Sequence, residues 1–142
     1  MTVESGGMAC DNNPKLAQEG EALWRPKKTL KPLNILIVGA GVAGLETAWV
    51  AAARGHSVTV LGGSNGFGGK TRLHAALPGA ENLSSVYDYQ FTAGKRGGVN
   101  YIFDGKASLE TILSFQPDRV VIATGSTMAI PEFIPDEFIR DD

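Results

Sequence analysis

The sequence is short of the residues that staple small domains. It has a single cysteine, Cys10, in 142 residues. That excludes an internal disulfide framework and any structural zinc site built from several cysteines. It also lacks an excess of positive charge, with 13 Lys and Arg against 15 Asp and Glu and a formal net charge of -2. No nucleic-acid partner is expected from that balance. Residues 1–10 are polar and include Glu4, so they lack the apolar core of a secretory signal. The longest apolar run, residues 35–53, is interrupted by Gly39, Gly41, Gly44 and Glu46. It is long enough for a membrane span, but those glycines fit a soluble turn better. No membrane association and a cytoplasmic location are expected. Histidine is confined to His56 and His74, and no Ser/His/Asp or Cys/His arrangement can be assembled with any specificity. No catalytic residue is assigned.

Glycine is abundant, with 18 residues, several of them clustered. Hydrophobic residues make up 43% and charged residues 20%, the balance of one soluble globular domain. Residues 33–38 are apolar and β-branched, as in a strand buried on both faces. A glycine turn follows, then an Ala- and Leu-rich helix over 45–54 closed by Gly55, then a strand over 58–61. This βαβ unit makes its strands parallel. Beyond it the pattern predicts a loop over 62–69, a helix over 82–95, a strand over 99–103, a short helix capped by Ser108 and a strand over 119–123. Trp49, Tyr87, Tyr89 and Phe91 are expected in the core, and both histidines in structural roles. The expected fold is a Rossmann-like three-layer α/β nucleotide-binding domain with a small parallel sheet of three or four strands. Residues 1–32 read as an extended arm, 33–130 as the nucleotide-binding domain and 131–142 as an acidic tail. The Lys27–Lys28 pair reads as a solvated face.

Gly39, Gly41 and Gly44 make a G-x-G-x-x-G turn between a strand and a helix. The first glycine suits the tight turn, the second the approach of a pyrophosphate, and the third close packing of helix on sheet. The helix N-terminus then offers unpaired N–H groups to the phosphates. The fingerprint also calls for an acid about 20 residues on, at the end of the second strand, to bind ribose hydroxyls. Gly62 stands there, followed by Gly63, Ser64 and Asn65, and no carboxylate follows until Glu81. A backbone carbonyl, Ser64 or Asn65 is left as a partial substitute. A carboxylate restored at position 62 is expected to tighten a bound nucleotide. No basic residue nearby suggests a 2′-phosphate instead.

Several segments come in the order and spacing of a known family. They are Val38-Gly39-Ala40-Gly41-Val42-Ala43-Gly44-Leu45-Glu46, Ala53-Arg54-Gly55-His56-Ser57-Val58-Thr59-Val60, Gly68-Gly69-Lys70, Ala76-Leu77-Pro78-Gly79, and Asp118-Arg119-Val120-Val121-Ile122-Ala123-Thr124-Gly125. The chain resembles the FAD/NAD(P)-binding region of the trimethylamine dehydrogenase and 2,4-dienoyl-CoA reductase family, over residues 10–135. In that family an FMN-containing (β/α)8 barrel and an iron–sulfur cluster precede this region, which binds FAD in the reductases or only ADP in the amine dehydrogenases. The resemblance implies a cofactor, FAD or ADP alone, held by Gly39, Gly41, Val42, Ala43, Gly44, Gly62, Gly63, Gly69, Lys70, Arg72, Ala107, Ala123, Thr124 and Gly125. These 142 residues hold neither the barrel nor the segment that returns to finish the flavin fold. The resemblance therefore implies a partial module, the small subunit of a heteromeric flavin-dependent oxidoreductase. Its partners would be an FMN-type barrel subunit and a chain completing the flavin domain. A non-catalytic assembly subunit that binds ADP or no nucleotide is the alternative. Cys10 precedes Asn12-Asn13-Pro14, as at the family's fourth cluster ligand. One thiolate cannot hold a cluster that takes four, so Cys10 is either a ligand to an iron–sulfur cluster shared with a partner chain or a free thiol.

Overall fold

A computed structural model describes residues 25–105, 107–126 and 133. Cys10, most of the arm and nearly all of the acidic tail lie outside them. Among the described residues, four strands form one sheet: β1 (Asn34–Val38), β2 (Ser57–Leu61), β3 (Asn100–Ile102) and β4 (Arg119–Ile122). Their order is β3-β2-β1-β4 and every pairing is parallel. The fold is the expected Rossmann-like α/β arrangement. The described residues include the α-helices α1 (Val42–Ala53), α2 (Lys70–Ala75), α3 (Ser84–Arg96) and α4 (Leu109–Ser114), which join or flank the strands. A 3-10 turn, Glu81–Leu83, leads into α3.

The register explains the core. Ile37 of β1 lies beside Val60 of β2 and Val121 of β4, so these side chains share one face. That face packs under the buried Ala48 and Ala51 of α1, whose small side chains let the helix sit close. The opposite face carries Leu36, Val38 and Leu61, then Ile102, Val120 and Ile122. Its centre is buried at Leu36, but Ile122 is 67% exposed and Val120 40%. Leu109 and Leu113 of α4 are also exposed. Parallel sheets ordinarily have both faces covered, so this is an open apolar surface.

Both long helices end as their glycines predict. After α1, Gly55 takes φ +94°, its N–H donates to the Ala52 carbonyl, and the His56 N–H donates to the Ala51 carbonyl. After α3, Gly98 and Val99 repeat this with the Lys95 and Gly94 carbonyls. Helix α1 starts at Val42, three residues before the sequence pattern becomes helical, because the glycine turn itself supplies its first turn. Ser108 caps α4 as expected, its hydroxyl accepting the Thr111 N–H at 3.1 Å.

The entry to β1 is clamped. The Asn34 N–H donates to the Asp118 carboxylate at 2.7 Å, and its side-chain amide donates to the Phe115 carbonyl at 3.0 Å. His56 Nδ1 accepts the Leu33 N–H at 3.1 Å, a structural role. Two expectations for the core fail. Tyr89 is 53% exposed. Trp49 is only half-buried, with Nε1 donating to Glu46 and its ring edge-on to Tyr89. Both sit on the outer side of the α1–α3 pair, where amphipathic rings shield helix surface while keeping a polar edge in water.

An aromatic stack fills the space below the 62–69 loop. Phe67 stacks on Phe91 at 3.9 Å between centroids, and Tyr101 lies against both Phe91 and Phe103. The Tyr101 hydroxyl is shielded from solvent and has no hydrogen-bond partner among the described residues. An orphaned buried hydroxyl forfeits its hydration, so a Tyr101→Phe protein is expected to be as stable as the wild type or more stable by up to about 1 kcal/mol. Burial pushes the Tyr101 phenol from 10.0 up to about 12. Its folded value is thus raised, so the stability it contributes is present below pH 10 and lost as the pH climbs toward 12. Urea melts at pH 8 and pH 11 should show a smaller alkaline loss in Tyr101→Phe than in the wild type.

Candidate functional site

The chain runs outward from β1 to β2 and β3, then returns to place β4 on the far side of β1. In such sheets ligands bind outside the carboxyl ends of the strands where the order reverses. A cleft of about 640 Å³ opens at that point, within the size range of small-molecule and cofactor sites.

Its floor is the glycine turn. Gly39 has φ +116°, and a Cβ there would land on the Ala123 carbonyl oxygen. A Cβ on Gly44 would land on the Gly39 carbonyl oxygen, so this residue seats α1 against the turn. Gly41 differs. A Cβ there would meet nothing closer than Gly69 Cα at 3.9 Å, and Gly41 lines the cleft. Gly41 is the N-cap of α1, and its carbonyl accepts the first helical bond from the Leu45 N–H at 2.9 Å. The preceding N–H groups of the first turn have no carbonyl within the helix to bond. No acidic side chain occupies that turn, leaving its positive dipole end free for an anion.

Of the residues expected at a cofactor, Gly39, Gly41, Val42, Ala43, Gly62, Gly63, Gly69, Lys70, Ala107, Ala123, Thr124 and Gly125 come together around the cleft. Gly44 and Arg72 do not line it. Gly44 faces the turn, and the Arg72 guanidinium lies against Gly66, where a Cβ would strike it. Lys70 Nζ donates to the Ser126 hydroxyl at 3.1 Å, joining the start of α2 to the segment after β4. Lys70 is the one charged side chain on the cleft wall among the described residues. His74 is exposed and lies outside the lining.

Thr71, Gly66, Gly105 and Ser126 also line the cleft and were not anticipated. Each follows a segment that was recognised, but nothing local marks it as facing a ligand. The Gly41–Gly68 bridge and the Gly68 N–H to the Ala40 carbonyl, 2.8 Å, draw the 62–69 loop over the turn. Glu81 lies outside the cleft. Its own N–H and that of Gly79 hold its carboxyl below the ordinary value, and the Gly79 bond at 3.0 Å pins the turn after α2.

Position 62 does not accept the acid that the turn motif calls for. Gly62 is buried, and a Cβ there would stand 2.7 Å from Phe103 Cδ1 and 3.2 Å from Ala40 Cβ. Phe103 is held in the aromatic stack, so the ring cannot readily give way. The expectation that a carboxylate at 62 tightens nucleotide binding is therefore corrected. A Gly62→Asp protein should instead melt earlier, with an overpacking cost of about 1–3 kcal/mol, measurable by thermal denaturation.

Among the described residues no group of three or more His, Cys, Asp or Glu is placed to hold a metal. No described helix is long and apolar enough to cross a membrane.

Residues 33–140 match the pyridine nucleotide-disulphide oxidoreductase family. The chain is 38% identical over 137 residues to a metal reductase of Desulforamulus reducens, covering 94% of this chain and 20% of that protein. It is 36% identical over 116 residues to a multifunctional alkene reductase/demethylase of Caballeronia cordobensis, covering 82% of this chain and 17% of the relative. Among solved structures, 2-naphthoyl-CoA reductase in complex with 2-naphthoyl-CoA superposes with a TM-score of 0.79 at 29% identity, over 92% of this chain and 20% of that one. Histamine dehydrogenase from Rhizobium sp. 4-9 gives 0.73 at 29% identity, over 85% and 18%. The chain thus spans about a fifth of the length of these relatives.

Proposed function

This chain belongs to the pyridine nucleotide-disulphide oxidoreductase family, and we propose that its cleft binds the ADP portion of FAD, within residues 33–130, as a module of a flavin-dependent oxidoreductase. The observation that carries the reading is Gly41. Its missing side chain leaves open the one approach to the first turn of α1 that a Cβ would fill without disturbing the fold. The cleft fits the group: it is glycine-lined at the helix start, apolar over most of its wall, and carries a single cation, Lys70, among the described residues.

Gly41, Val42 and Ala43 would hold the pyrophosphate through backbone N–H groups. Lys70 would add a positive charge at the rim. Gly62, Gly63 and Ser64 would receive the adenosine end, and Gly69, Ala107, Ala123, Thr124 and Gly125 would complete the wall. When bound, FAD supplies hydride and single-electron chemistry that side chains cannot. The chain's own part is to bind, orient and exclude water.

The open apolar face at Val120 and Ile122 supports a partner that covers it. In this reading the module works beside the rest of a flavoenzyme, with an FMN-type barrel subunit acting on substrate. Cys10 is offered as a ligand to an iron–sulfur cluster shared with that partner. An assembly subunit without bound flavin is the second reading, favoured by the buried Gly62 where an acid was called for. Calorimetric titration of the purified chain with ADP and FAD decides between them. Saturable binding of either supports the cofactor module. No binding, by the chain alone or in its native complex, leaves the assembly role. An absorption spectrum of the native complex, with the nucleotide identified after denaturation, extends the test to the partner.

A further inference from the structure

The acid absent from the end of β2 has a counterpart one strand away. The loop after β3 is stitched to the loop after β2 by three backbone hydrogen bonds. The Gly62 N–H donates to the Ile102 carbonyl at 2.8 Å, the Asp104 N–H to the Ser64 carbonyl at 3.2 Å, and the Gly105 N–H to the Gly62 carbonyl at 3.4 Å. Gly62, Ser64 and Gly105 all line the cleft, whereas no lining residue is acidic. Asp104 therefore stands beside the end of the cleft where the nucleotide-binding turn calls for a carboxylate.

Two features set this residue apart from an ordinary surface acid. Its backbone is left-handed, with φ +66°, a conformation that Asp tolerates better than most residues. Its carboxylate is exposed and has no hydrogen-bond or ion-pair partner among the described residues. Phe103, its neighbour, is the residue whose ring fills the Cβ space of Gly62. The two features belong together: the ring of Phe103, just after β3, closes the usual position, and the next residue carries a carboxylate on the same stitched loop pair.

We propose that Asp104 is the specificity-determining carboxylate for the ribose of the bound nucleotide, replacing the acid that Gly62 and Phe103 exclude from the end of β2. The inference rests on the nucleotide-binding reading of the cleft. A carboxylate on the neighbouring loop accepts hydrogen bonds from the ribose hydroxyls and selects a nucleotide with both hydroxyls free.

The test titrates the wild type, Asp104→Asn and Asp104→Gly with ADP and with 2′,3′-dideoxy-ADP. Asn and Gly both tolerate the left-handed backbone, and a thermal melt of each variant checks that the fold is kept. The wild type should bind ADP about tenfold or more tightly than the dideoxy analogue, the loss expected for a charge-assisted hydrogen bond. Both variants should lose that preference by binding ADP more weakly, while their affinity for dideoxy-ADP stays at the wild-type value. ADP binding unchanged by either substitution overturns the assignment of Asp104 and leaves the cofactor reading standing. Equal wild-type affinity for the two ligands does the same. A wild-type chain that binds neither ligand, alone or in its native complex, overturns both.

Discussion

A Gly41→Val protein is expected to fold as the wild type does and to bind ADP and FAD about a hundredfold more weakly, or not measurably. The two halves of that result come from different geometry. On the protein side, Gly41 has φ -79° and ψ 178°, an extended conformation that valine adopts readily. Its Cβ would rest at 3.9 Å from Gly69 Cα, an ordinary contact. Exchanging one N-cap without a side-chain hydrogen bond for another costs about 1 kcal/mol at most. On the ligand side, the valine methyls enter the cleft in front of the first helical turn. A phosphate pushed outward loses backbone N–H bonds to a charged oxygen, each contributing about 1.5–3 kcal/mol. Thermal melts and calorimetry on the same preparation measure both halves. A folded Gly41→Val protein with wild-type affinity would falsify the placement of the pyrophosphate.

Much of this was legible in the sequence because the signals are local. A β-branched strand, a glycine turn and an alanine-rich helix ended by Gly55 lie within a continuous stretch, and each is set by neighbours a few residues away. The parallel pairing of β1 with β2 follows from that crossover. The placement of β4 on the far side of β1, and the cleft at that reversal, do not follow from it, because that pairing joins distant segments. What escaped the sequence depends on contacts between distant segments. Helix α2 is six residues long, has no side-chain cap, and follows two glycines. It forms where the Gly68 N–H reaches back to the Ala40 carbonyl, which no periodicity announces. The absence of an acid at 62 was plain, but its cause was not. Phe103 lies 41 residues further on, and its ring reaches Gly62 only once β2 and β3 pair. Trp49 and Tyr89 were misplaced for a related reason. Large rings on helices were assigned to the core by their hydrophobicity, while the small alanines of α1 occupy the seat against the sheet.

That close seat makes Gly44 a sensitive point of the fold. A Gly44→Ala protein is expected to lose about 3 kcal/mol of stability, the upper end of the usual overpacking cost. For a domain of this size that lowers the melting temperature by about 6–12 °C. Alanine is the better helix former, by about 1 kcal/mol, so propensity alone predicts the opposite sign. Packing decides. The new methyl would land on the Gly39 carbonyl oxygen and approach Ile37 at 3.4 Å. Helix α1 cannot ride up to make room without losing its contacts through Ala48 and Ala51. The turn cannot yield either. Gly39 is backed by the Ala123 carbonyl oxygen, and the Ala123 N–H is bonded to the Val38 carbonyl at 2.8 Å. The strain of one methyl therefore passes from α1 through the turn into the edge pairing of β1 with β4. Hydrogen exchange should show it as faster opening of β4 amides, before α3 is affected. A Gly44→Ala protein melting at or above the wild-type temperature would mean that α1 has slack against the turn and that the third glycine is not there for packing.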